Sequence, residues 1–164
     1  MGDLSLDKNL LNTRKRGRPA DTDSTDTRDR IIVCACERFA AEGFEGTTNR
    51  EIADTAKVSS AALYHYFPSK ADIYIAVCDS ITEIFVNVFS RVSTSETTLE
   101  QRLISLFVEV RDLGASVPST VGFITGISAV VQKHPEVSKG TDVFGKEFAR
   151  NIVQLIATAE ESEH

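Results

Sequence analysis

The chain has 164 residues, 41% hydrophobic and 26% charged, with a formal net charge of -6, which suits one ordinary domain or a small one joined to a larger one. No uninterrupted apolar run approaches the roughly 20 residues of a membrane span, and the start MGDLSLDKNL lacks a signal peptide's apolar stretch, so a cytoplasmic protein without membrane contact is expected. Cys34, Cys36 and Cys78 form no C-x-x-C pair, and His65, His134 and His164 show no ligand spacing, so no disulfide framework, metal site or cofactor is expected.

The charge is unevenly placed. Through Lys70, eleven Lys and Arg balance eleven Asp and Glu, whereas from Ala71 onward seven face thirteen. Near the start, TRKRGRP gathers Arg14, Lys15, Arg16 and Arg18. A local excess against the global sign points to a partner met by that segment alone. The polar ADTDSTD follows, and residues 1–26 are expected to form a flexible basic arm.

From Thr27 to Glu42, apolar residues recur in steps of four (Ile31, Ala35, Phe39 and Ile32, Cys36, Ala40), the mark of one helix face. Gly43 then stops the helix. Thr47 or Thr48 can cap a second helix running through Ala56, with Ile52, Ala53 and Ala56 inward. After the break at Lys57-Val58, Ser59 caps a short third helix that Phe67-Pro68 ends near Tyr66. Ser69 caps a long fourth, marked by Ile73, Val77, Ile81, Ile84, Val88 and Val92. Leu99, Leu103, Leu106, Val110 and Leu113 mark a fifth helix, and Phe123, Ile124, Ile127, Val130 and Val131 a sixth closed by His134-Pro135. Phe144, Phe148, Ile152, Leu155 and Ile156 mark a seventh. No window alternates with period two over a useful length, so the fold class is all-α.

Helices two and three have the size and spacing of a helix-turn-helix, whose second helix enters the DNA major groove. The order of residues sharpens this. FAAEGFEGTTNREIADTAKVSSAALYHYFPSKADI resembles, nearly position by position, the DNA-binding domain of the tetracycline-repressor (TetR) family of bacterial regulators. The matching residues are Phe39, Gly43, Thr47, Thr48, Ile52, Ala53, Val58, Ser59, Leu63, Tyr64, Tyr66, Phe67, Ser69 and Lys70. The resemblance covers about Thr27 to Ile75 and departs at Lys57, where the family usually has Gly. A left-handed backbone there would cost about 1 kcal/mol.

The residues themselves suit DNA. Thr48 at a helix start offers a hydroxyl and free N–H groups to a phosphate, or is a plain N-cap. Arg50 lies on the side away from Ile52 and Ala53, and arginine commonly reads guanine edges. With Leu63 and Phe67 inward, Ser60, Ala61, Tyr64 and His65 face the groove, beside Ser59 at the helix start. Tyr66 is a backbone contact or a half-buried packing residue. Lys70 is poorly placed for its helix dipole, so some other benefit should explain it; the resemblance implies that it binds phosphate. The R-G-R-P core of TRKRGRP resembles an AT-hook, which would put Arg16 and Arg18 in the minor groove; a solubilising tail or a nuclear-import-like basic run is the alternative.

The resemblance thus implies a helix-turn-helix DNA-binding domain over 27–70, then a helical ligand-binding and dimerisation domain over 71–164. Members usually continue through two more helices that pair across the dimer. Since the sequence stops at EESEH, this domain is expected to be C-terminally short. By residue type, Phe85, Phe89, Phe107, Phe123, Ile127 and Phe148 are candidates to line a pocket for a largely apolar inducer. Gly122 and Gly126 would allow close helix packing or leave space for a ligand. The expected function is a homodimeric repressor released from a pseudo-palindromic double-stranded operator by a small molecule; activation within the same family, and a helical adaptor without DNA binding, are the alternatives. Without a nucleophile elbow, phosphate loop or H-E-x-x-H, no enzymatic role is expected.

Overall fold

A computed structural model describes residues 22–95 and 98–160. Among them are seven helices: α1 (Thr22–Gly46), α2 (Asn49–Thr55), α3 (Ser60–Tyr66), α4 (Lys70–Ser95), α5 (Leu99–Ser116), α6 (Pro118–Lys133) and α7 (Pro135–Glu160). No strand occurs among the described residues.

Two helices begin earlier than their apolar periodicity does. α1 starts at Thr22 rather than Thr27, which moves residues 22–26 out of the expected flexible arm. Between Pro19 and Gly43 there is no glycine or proline to stop the helix, and solvated turns leave no apolar signature. α7 likewise starts at Pro135, not near Phe144; among the described side chains of its first turns, Val137 and Thr141 are fully buried. Proline heads both α6 and α7, a first-turn position where its missing N–H costs nothing.

α1 bends sharply near its end. Gly43 has φ 73° and ψ 174°, a backbone region open essentially to glycine alone. Beyond it, Phe44 turns back into the core against Phe39 and Tyr74, with ring centroids 5.8 and 5.2 Å away. Phe123 of α6 joins them, 4.6 Å from Tyr74 and 6.2 Å from Phe39. Three helices thereby share one aromatic cluster, and each pair adds about 0.5–1.5 kcal/mol beyond its burial. Gly122 lets α6 approach α1 closely, since a Cβ there would stand 3.2 Å from Ala40 Cβ. Gly126 instead faces open space.

α4 is the spine of the molecule. It is long and apolar enough to cross a membrane by length and composition, yet Ile73, Tyr74, Val77, Ile81, Ile84, Val88 and Val92 are buried in the core. One side packs on α1 and the other runs along α7. At Gly140 that second contact is very close: a Cβ there would lie 2.4 Å from Ile75 Cγ2 and 3.0 Å from Ile75 Cβ. Cys34, Cys36 and Cys78 are all buried, and burial pushes the Cys36 and Cys78 thiols up to about 12, far from thiolate chemistry.

Two glycine substitutions should destabilise for different reasons. Gly43→Ala meets no atom within 4 Å, so its expected cost of about 1–3 kcal/mol comes from backbone strain alone. Gly140→Ala should cost a similar ~1–3 kcal/mol through overpacking, and trimming Ile75 to Ala, which removes the two crowding Cγ atoms, should recover part of it. Urea denaturation of the single and double variants separates the two: Ile75 trimming should rescue Gly140→Ala and leave the Gly43→Ala deficit untouched.

Candidate nucleic-acid interface

α2 and α3 have seven residues each, too short to hold helical structure alone. Their ends are therefore built from side chains. Thr48 is the N-cap of α2: Glu51 N donates to its Oγ1 at 3.2 Å, while Thr48 N and Thr48 Oγ1 each donate to Glu51 Oε2 at 2.8 Å. This is a reciprocal capping box. Arg38 Nη2 of α1 donates to Glu51 Oε1 at 3.0 Å, fixing the box to the scaffold. The Thr48 backbone N–H, then its hydroxyl, then the Arg38 charge hold the Glu51 carboxyl below its ordinary value. A carboxylate so held stabilises the fold above the ordinary Glu range, and that stability is lost as pH falls through the depressed value.

At the other end of α2 the chain turns through Lys57, at φ 55°. Val58 N donates to Ala53 O at 3.0 Å and Lys57 N to Asp54 O at 3.2 Å, the paired bonds of a Schellman motif. Lysine therefore occupies the left-handed position that glycine usually fills. Arg30 Nε of α1 donates to Ala56 O at 2.8 Å and braces the turn. α3 then starts at Ser59, whose Oγ accepts from Ala62 N at 3.1 Å.

With Leu63 and Phe67 buried, the opposite face of α3 presents Ser60, Ala61, Tyr64 and His65 to solvent. Tyr64 is 52% exposed. Arg50 and Lys57 are exposed beside them, and the Arg50 side chain has only a 4.0 Å approach to Asp54. Hydroxyls, an imidazole, a phenol and two cations are thus exposed on a braced helix pair. That chemistry matches base edges and phosphates.

Tyr66 and Lys70 are placed differently. Tyr66 is half-buried, and its hydroxyl donates to Ser24 Oγ at 3.3 Å, tying α3 to the first turns of α1. Lys70 turns inward: Nζ donates to Phe44 O at 2.7 Å and Thr47 O at 2.9 Å, and lies 4.5 Å from the centroid of the Phe44 ring. These contacts supply the benefit that offsets a cation at a helix N-terminus. Arg30, Arg38 and Glu51 were missed from sequence; the T-x-x-E spacing of Thr48 and Glu51 was the available signal for one of them. Arg16 and Arg18 lie outside the described residues.

The six candidate pocket residues do not converge. Phe85, Phe89 and Phe148 cluster with Phe144 between α4 and α7, with centroids 5.5–6.2 Å apart. Phe123 belongs to the α1–α4–α6 aromatic cluster, and Ile127 is half-buried on α6. Phe107 stands 72% exposed on α5. A surface groove of about 420 Å³ lies between α4 and α7, lined by Thr82, Glu83, Val86, Asn87, Val143 and Glu147.

A braced pair of short helices joined by a tight turn, the second with a polar outward face, is a helix-turn-helix. Residues 31–77 match the family described as "Bacterial regulatory proteins, tetR family". Among characterised proteins, the chain is 31% identical over 81 residues to the transcriptional repressor KstR2 of Mycolicibacterium smegmatis, covering 49% of this chain and 40% of that protein. To the transcriptional regulator RutR of Escherichia coli it is 43% identical over 56 residues, covering 34% and 26%. The chain therefore spans less than half the length of these relatives. The solved structure of the ketosteroid transcriptional regulator KstR2 of Mycobacterium tuberculosis superposes with a TM-score of 0.65 at 22% identity, covering 90% of this chain and 72% of that one. This likeness extends the shared fold past the helix-turn-helix into the helical domain.

Replacing Lys57 by glycine relieves its left-handed strain, worth about 1 kcal/mol, so K57G should raise the melting temperature by about 2–4 °C. Thr48→Ala should lower stability by about 0.5–2 kcal/mol, the usual value of a lost N-cap. Calorimetry on both variants checks the two signs.

Proposed function

We propose that the chain is a transcriptional regulator, a one-component repressor whose third helix reads operator DNA in the major groove. The carrying observation is the exposed α3 face of Ser60, Ala61, Tyr64 and His65, set on a helix pair braced at both ends of α2. Arg50 is the candidate base reader, with Tyr64 and Lys57 on the phosphates and Thr48 and Ser59 offering helix starts to the backbone. His65 meets a base edge or a phosphate. Lys70 acts mainly by setting the angle of the reader, with one of its three ammonium protons left over for phosphate. The basic arm, through Arg16 and Arg18, adds minor-groove contacts.

The functional form proposed is a cytoplasmic homodimer, because two recognition helices about 34–36 Å apart match a two-fold operator. A small, largely apolar molecule bound among α4 to α7 would release it. The Phe85, Phe89, Phe144 and Phe148 cluster and the neighbouring groove are the candidate place. The ligand must favour the released state by its differential affinity, typically about 1–3 kcal/mol of coupling.

Selection of bound sequences from genomic fragments tests the reading. A two-fold consensus bound with a steep salt dependence supports it; no enriched sequence overturns it. On the selected operator, R50A and Y64A should each weaken affinity by about 1–3 kcal/mol. Deleting residues 1–20 should weaken binding and flatten the salt slope by roughly 0.9 for each phosphate that the arm had neutralised. K57G, stabilised in its fold, should bind DNA more weakly, because a charge near phosphate is gone.

A further inference from the structure

His134 closes α6, its backbone N–H donating to Val130 O. Its side chain is mostly buried, and its two ring nitrogens face two different carboxylates. Nε2 lies 2.6 Å from Glu45 Oε1 of α1 and Nδ1 3.1 Å from Glu136 Oε1 in the first turn of α7. The ring packs on Phe44, centroid to centroid 4.5 Å. A neutral imidazole carries one N–H and would point the other nitrogen's lone pair at a carboxylate oxygen. Only the imidazolium donates to both.

The placement gives this bridge its meaning. Glu45 sits beyond the bend at Gly43, in the corner that leads into Thr47 and the α2 cap. Lys70 of α4 grips the same corner, on the Phe44 ring and the Phe44 and Thr47 carbonyls. The charged groups around His134 are thus Glu45 from α1, Glu136 from α7, Lys70 from α4 across the Phe44 ring, and its chain neighbour Lys133 on α6. The corner is held at two points: from α4 by a permanent cation, and from the α6–α7 junction by a titratable one.

We propose that His134 is a positioning residue for DNA reading, a proton-dependent bridge that seats the α1–α2 corner, and with it the helix-turn-helix, on the helical domain. The inference rests on the DNA-reading function proposed above. Protonated, the ring completes the bridge; neutral, it keeps one of the two bonds and releases the other. The protonated and neutral rings differ by one donated bond, and pH is the variable that moves between them.

The test uses the full chain in a His65→Gln background, so that the imidazole on α3 does not contribute. Affinity for the selected operator is measured at pH 6 and pH 8 at constant ionic strength. The parent should bind about two- to fivefold more tightly at pH 6, the scale an exposed ion pair allows. In H134Q and in E45Q that ratio should fall to near one. A parent ratio near one or inverted, or an H134Q ratio equal to the parent's, overturns the proposal. Hydrogen exchange of the 43–49 amides, corrected for intrinsic rates, reads the bridge without DNA: protection should fall from pH 6 to pH 8 in the parent and show no such pH step in H134Q. If no operator is ever bound, the DNA reading fails, while the exchange measurement still decides whether the bridge exists.

Discussion

Bending α1 at Gly43 leaves main-chain carbonyls at the corner that no continuing helix can satisfy, and the rest of the helix-turn-helix architecture follows from how they are met. Thr47 donates its hydroxyl to Gly43 O at 2.8 Å. Lys70, from the first turn of α4, reaches Phe44 O and Thr47 O. An ammonium at a helix N-terminus opposes the helix dipole, so this position is favourable only because the carbonyl cluster lies within its reach. One demand for hydrogen-bond donors thereby joins the helix-turn-helix to the long helix α4.

From that corner the reader is assembled outward by charge-assisted contacts from α1. Arg38 secures the start of α2 through Glu51, and Arg30 secures its end through Ala56 O. Neither arginine contributes to the outward face of α3; each converts a marginal seven-residue helix into a fixed platform. The polar face of α3 is then a consequence of where Leu63 and Phe67 must go. Burying two residues of a short helix dictates which four point away.

The amount of this that could be read from sequence tracks the reach of each physical signal. All seven helices appear in the apolar spacing, since burial imposes it. The starts of α1 and α7 do not, because residues 22–26 carry no apolar side chain and the first turns of α7 carry few. The outward set on α3 was readable because its inward partners lie within the same helix. Lys57 in a left-handed turn was anticipated from the resemblance, and the backbone adopts it. Lys70 was not readable as a tether, since its acceptors lie 26 and 23 residues earlier in the chain. The dispersal of Phe107, Phe123 and Phe148 over three surroundings has the same origin: periodicity gives a helix a face but does not name the neighbour that face meets.

The close seating of Ile75 against Gly140 bears on how the two long helices can move. With side-chain carbons pressed into the space a Cβ would fill, sliding α4 along α7 would carry Ile75 off the glycine toward positions one turn away, such as Val137 and Phe144, that carry side chains. Rotation about that point requires no such passage. The contact therefore works as a pivot, and Lys70 lies five residues from it while Phe85 and Phe89 lie ten and fourteen on the other side. The Lys70 tether and the phenylalanine cluster thus lie on opposite sides of one close contact along a single helix.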